Sequence, residues 1–201
     1  MTDTVESGSR SRTRRAILDA AVVVFTQRRT ASLGDVAAEA SVARSTVHRY
    51  FADRAELVHA LAADVLVAVE KTIADAALDQ GTPREALHRL AAGYFELGPR
   101  IFFLFNEPSF NDPEPDERVK DFFERLEEVG KPIEALIERG HRDGVFAASL
   151  SVDWIIRMFW WMVYIGWEAV DEGDLPRLSA PATILQTIEH GILTPPPTPS
   201  R

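Results

Sequence analysis

The chain has 201 residues, is 46% hydrophobic and 26% charged, and sets 22 Lys plus Arg against 31 Asp plus Glu for a formal net charge of −9. That balance suits a compact soluble protein with a substantial core. The absence of cysteine excludes disulfides, thiolate metal sites and a thiol nucleophile, and fits a reducing cytoplasm. The polar, arginine-rich N-terminus lacks the apolar centre of an export signal, so a cytoplasmic location is expected.

No stretch alternates as a half-buried strand does, whereas apolar residues recur at helical spacing between breakers, so the spacing predicts an all-α fold of about nine helices. The first three are expected over residues 11–28, 33–40 and 44–51. Ser32 followed by Asp35 reads as a capping box, and Asp53 followed by Glu56 as another. The second and third helices, joined by a tight turn, form a helix-turn-helix. Val36, Ala37, Ala40, Val42 and Val47 are its packing residues, small where the helices must approach closely. The opposite face of the third helix presents Arg44, Ser45, Thr46, His48 and Arg49, all donors suited to phosphate oxygens and base edges. Ser41 sits where the turn favours a glycine, which predicts a strained serine at a cost of about 1 kcal/mol.

The remaining helices are expected over 54–79, 83–97, 99–106, 116–142, 151–171 and 181–193. Thr82, Pro83 and Glu85 supply an N-cap, an N1 proline and an N3 carboxylate. Gly98 and Pro99 are expected to end the fifth helix. Residues 106–117, with three prolines and five acidic residues, read as a loop, and 194–201, with four prolines, as a disordered tail. The apolar run 154–170 is interrupted by Arg157 and Glu168 and falls short of the roughly 20 residues a span needs, so no membrane partner is expected.

Three runs in this order, RAILDAAVVVF (15–25), LGDVAAEASVARSTVHRYF (33–51) and DRAELVHAL (53–61), resemble the DNA-binding domain of the TetR family of transcriptional regulators. Ser41 replaces the family's usual turn glycine, His48 its usual tyrosine and Arg54 its usual lysine. The resemblance implies an N-terminal three-helix helix-turn-helix DNA-binding domain (1–53), then a C-terminal helical ligand-binding and dimerisation bundle (54–193), then the tail (194–201). It implies double-stranded operator DNA as a partner. Arg44, Thr46 and Tyr50 are expected at phosphates, His48 and Arg49 near bases, and Arg54 on the backbone from the start of the fourth helix; Ser32 and Ser45 complete the DNA set.

Charge by segment agrees. From residue 10 to 54, nine arginines stand against four carboxylates, a local balance of +5 inside an acidic chain.

In the rest of the chain the resemblance implies a pocket for a small-molecule effector. The candidates to line it are Tyr94, Phe95, Phe102, Phe103, Phe105, Phe122, Phe123, Trp154, Met158, Trp161 and Tyr164. Residues 154–167 are apolar almost all round, and Ile184, Leu185, Ile188, Ile192 and Leu193 form a stripe, so the last two helices are the expected homodimer interface. Two-fold symmetry then predicts a pseudo-palindromic operator. The fourth helix is expected to connect pocket and head. None of the five histidines lies in a metalloprotease pattern, and neither a phosphate loop nor a serine elbow is present, so neither catalysis nor a cofactor or metal is expected. The alternative is a helical ligand-binding or scaffold protein with a degenerate helix-turn-helix, for which Ser41 is the favouring feature.

Overall fold

The computed structural model describes residues 2–192, with side chains from 8 to 190; the expected tail 194–201 and Leu193 lie outside them. The fold is all-α. Its helices are α1 (Thr2–Gln27), α2 (Leu33–Glu39), α3 (Arg44–Tyr50), α4 (Arg54–Asp75), α5 (Pro83–Asn106), α6 (Glu117–Arg142), α7 (Val152–Asp171) and α8 (Ala180–Ile192), with one 3₁₀ turn at Pro108–Phe110. The nine expected helices become eight among the described residues, because the fifth and sixth fuse into α5, which continues through Pro99. α1 starts at Thr2 rather than at residue 11.

The described residues fall into two compact units: the first runs to Val65 and also takes Pro99–Phe122, and the second takes Leu66–Gly98 and residues 123–192. In the first, α1 packs on α2 and α2 on α3. Ile17, Leu18, Ala21 and Phe25 recur along one side of α1 and are buried, as are Val36, Ala37, Val47, Leu57 and Leu61. The Ser32–Asp35 capping box forms in both directions. It holds the Asp35 carboxyl down to about 2, through the Ser32 backbone N–H and hydroxyl first and the neighbouring Arg28 after them.

In the second unit α7 packs on α8, and Gly166 lets them close, since an added Cβ would fall 2.2 Å from Ile184 Cδ1. The Thr82–Glu85 cap forms as expected, Glu85 N–H donating to Thr82 Oγ1 at 3.2 Å and Thr82 N–H to Glu85 Oε2 at 2.9 Å. α4 stops at Asp75 rather than 79, followed by Ala77 at φ 45°. The carbonyls left open past that end are collected by two arginines. Arg89 donates to those of Ala76, Ala77 and Gln80, and Arg139 to those of Leu78, Asp79 and Gly81. No described helix is long and apolar enough to cross a membrane.

Candidate nucleic-acid interface

The helix-turn-helix closes through its atypical residue. Ser41 takes φ 53°, in the left-handed region, and the chain leaves α2 in a Schellman arrangement: Val42 N–H donates to Ala37 O at 3.0 Å and Ser41 N–H to Ala38 O at 3.1 Å. The turn therefore forms without glycine, and the feature favouring a degenerate motif loses its force. On α3 only Val47 is buried. Arg44, Ser45, His48 and Arg49 are exposed, and Thr46 and Tyr50 half-buried. One apolar residue per seven anchors the helix and leaves the donor side facing outward. Arg49 lies 5.6 Å over the Tyr50 ring, and His48 Nδ1 is 3.4 Å from Ala52 O. Neither Arg44 nor Arg49 forms an ion pair among the described residues.

Two of the expected DNA residues are engaged within the protein. The Ser32 hydroxyl accepts from the Asp35 N–H and donates to its carboxylate. Arg54, expected on the DNA backbone, turns inward. Its guanidinium donates to Glu107 Oε1 at 2.6 Å and Oε2 at 2.9 Å and to Arg29 O at 3.1 Å, and lies 4.6 Å over the Phe25 ring. Glu107 is 6% exposed, and a carboxylate so buried requires a charged partner, which outcompetes a phosphate reached only from solvent. Glu107 falls within the expected loop 106–117. Its signal would have been the lone carboxylate closing an apolar helix, IFFLFNE.

Residues 17–61 match the sequence model described as "Bacterial regulatory proteins, tetR family". The HTH-type transcriptional repressor LfrR of Mycolicibacterium smegmatis is 38% identical over 200 residues, covering 96% of this chain and 97% of that protein. The HTH-type transcriptional regulator NfxB of Pseudomonas aeruginosa is 26% identical over 182 residues, covering 89% and 94%. A crystal structure of LfrR in complex with proflavine matches the fold with a TM-score of 0.72 at 37% identity, over 92% of this chain and 99% of that one. The chain belongs to the TetR family. This TetR-family protein is a DNA-binding regulator of transcription, not an enzyme.

The aromatic candidates of this TetR-family protein fall in both units. In the first unit Phe103 stacks on Phe25 at 5.5 Å and Phe122 meets Phe110 edge-on at 5.2 Å; Phe102 is half-buried and Phe105 is 44% exposed. In the second, Tyr94 is 0% exposed, with Trp160 and Phe159 edge-on at 4.4 and 5.9 Å. Its hydroxyl meets no hydrogen-bond partner among the described residues, and burial pushes its pKa up, so it remains a protonated donor. Phe95 stacks on Trp167; Phe123 is exposed, and Met158 and Tyr164 are half-buried.

Trp154 and Trp161 stand apart from the buried aromatic residues of α7. They are 53% and 54% exposed, and Ile165 49%, whereas Ile155, Phe159, Val163 and Trp167 are buried. At about 100° per residue the two sets lie on opposite sides of α7. A groove of about 770 Å³ in the second unit, between α4 and α6, is lined by Ile73, Leu78, Pro132, Leu136 and rim carboxylates, and by none of the aromatic candidates.

Proposed function

We propose that this chain is a cytoplasmic, ligand-responsive repressor. As a homodimer joined through α7 and α8 it occupies a pseudo-palindromic operator, with Arg44, Ser45, Thr46, His48, Arg49 and Tyr50 of each α3 in successive major grooves. A small, largely apolar molecule bound in the C-terminal bundle releases it. The observation that carries this reading is the outward donor face of α3, anchored by Val47 alone and uncompensated by carboxylates at Arg44 and Arg49.

Three further points support it. LfrR, so similar over nearly its whole length, is a named repressor, and proflavine is bound in one of its structures. The exposed Trp154, Trp161 and Ile165 give α7 an apolar side that a partner subunit would cover. The Tyr94 hydroxyl, buried between ring edges without a partner, is the polar group an aromatic effector would satisfy. Release from mostly bound to mostly free needs about 5.5 kcal/mol of differential affinity between the two conformers.

The test is fluorescence anisotropy with a labelled duplex from the DNA upstream of the chain's own coding sequence, with proflavine then titrated in. Preferential retention of that duplex and its loss on adding proflavine are expected. Equal affinity for an unrelated duplex would end the repressor reading.

A further inference from the structure

Pro99 lies inside α5 and has no N–H, so the carbonyl four residues back, that of Phe95, loses its helical donor. The proline inside α6, Pro132, raises no such problem, because it and Glu128 are exposed and water reaches the freed carbonyl. Phe95 is 1% exposed, and its carbonyl must find a partner within the protein. That partner is the indole of Trp167 on α7, whose Nε1–H donates to Phe95 O at 2.5 Å.

The surroundings are shaped to the indole. A Cβ at Gly98 would fall 1.3 Å from Nε1, so only glycine lets the ring in. The Phe95 ring stacks on it at 5.1 Å and 24°. The Arg177 guanidinium lies 5.1 Å from it and is itself bonded to Glu96 at 3.1 Å.

We infer that the Trp167–Phe95 bond is a latch by which α7 sets the conformation of α5, and that effector binding acts on the DNA-reading head by working it. An ordinary helical hydrogen bond is internal and survives displacement of neighbouring helices. This rung of α5 is supplied from another helix, so its closure depends on where α7 stands. The same two helices are also bridged by Tyr94, next to Phe95 on α5, against Phe159 and Trp160, about two turns before Trp167 on α7; this is the proposed effector niche, and the inference rests on that reading for what moves α7. Once the indole withdraws, Pro99 lets α5 bend there. Beyond Pro99, α5 and the residue after it grip the head: Arg100 holds Asp19, Phe103 stacks on Phe25, Asn106 accepts from Arg29, and Glu107 holds Arg54. Trp167 is a positioning residue in this scheme.

The test uses the full chain in three variants, Trp167→Phe, Pro99→Ala and the two combined, with amide hydrogen exchange over residues 100–106. Trp167→Phe keeps a ring but loses the donor, and exchange in that segment should speed up about three- to tenfold. Pro99→Ala restores a backbone donor to Phe95 O, so the double variant should return to within about twofold of the parent rate. Unchanged exchange in Trp167→Phe, or no recovery in the double variant, would overturn the latch. For the switching role, the change in duplex affinity caused by proflavine should shrink at least about threefold in Pro99→Ala, whose α5 no longer needs the indole; an undiminished response overturns that role. A parent protein indifferent to proflavine would refute the effector reading instead, and the exchange data would still decide the latch.

Discussion

At Ser41 the backbone is forced into a region that costs a side chain about 1–2 kcal/mol, at φ 53°. Ser41→Gly should therefore raise stability by up to about 1 kcal/mol, less what glycine adds to unfolded-chain entropy, measured as a shift in urea midpoint at unchanged slope. Arg49 is the sharpest test of the interface. Arg49→Ala should weaken operator binding by about 1–3 kcal/mol with helical content unchanged by circular dichroism, and unaltered affinity would remove it from the contact surface. Both positions were legible in the sequence because their meaning is local: the cap, the turn and the donor face all lie within 20 residues. Arg54 was not, because the carboxylate that claims it is 53 residues away along the chain.

The same limit governs whole helices. Gly98-Pro99 is a local breaker, yet α5 runs through it, and the carbonyl freed by the proline is taken up by Trp167, 72 residues further on. The sequence of α7 is apolar on nearly every side, so its pattern alone could not separate Trp154 and Trp161, which face outward, from Phe159 and Trp167, which are buried. Trp161→Glu should leave the fold intact and convert a dimer to a monomer by sedimentation, because it charges the exposed side of α7 alone. Where α8 meets α5, Arg84 donates to both oxygens of Glu189 at 2.6 and 2.7 Å, and His88 also reaches it. Arg84 first and then His88 hold the Glu189 carboxyl down to about 2. A carboxylate with a lowered folded-state pKa adds stability above its unfolded value, about 4.3, and that contribution disappears as pH falls toward 2. The melting-temperature gap between the parent and Glu189→Gln should accordingly be open near neutral pH and close between about pH 4.3 and 2.

At the scale of the molecule, charge is segregated: an acidic chain carries a basic head, with +5 over residues 10–54. Several of those arginines are bound internally, Arg15 to Asp19 and Asp64, Arg28 to Asp35, Arg54 to Glu107. The exposed arginines of that segment include Arg44 and Arg49 on α3 and Arg10, Arg12 and Arg14 on α1. Operator affinity should fall by about 10³-fold or more between 50 and 200 mM salt if two subunits together neutralise about six phosphates, and a flat profile would argue against a phosphate-dominated interface. The two tryptophans that α7 turns toward solvent also bear on gene dosage. If two subunits must pair before either reads DNA, as proposed, operator occupancy tracks the square of subunit concentration when the chain is scarce, so a twofold dilution by growth without new synthesis should lower occupancy about fourfold rather than twofold.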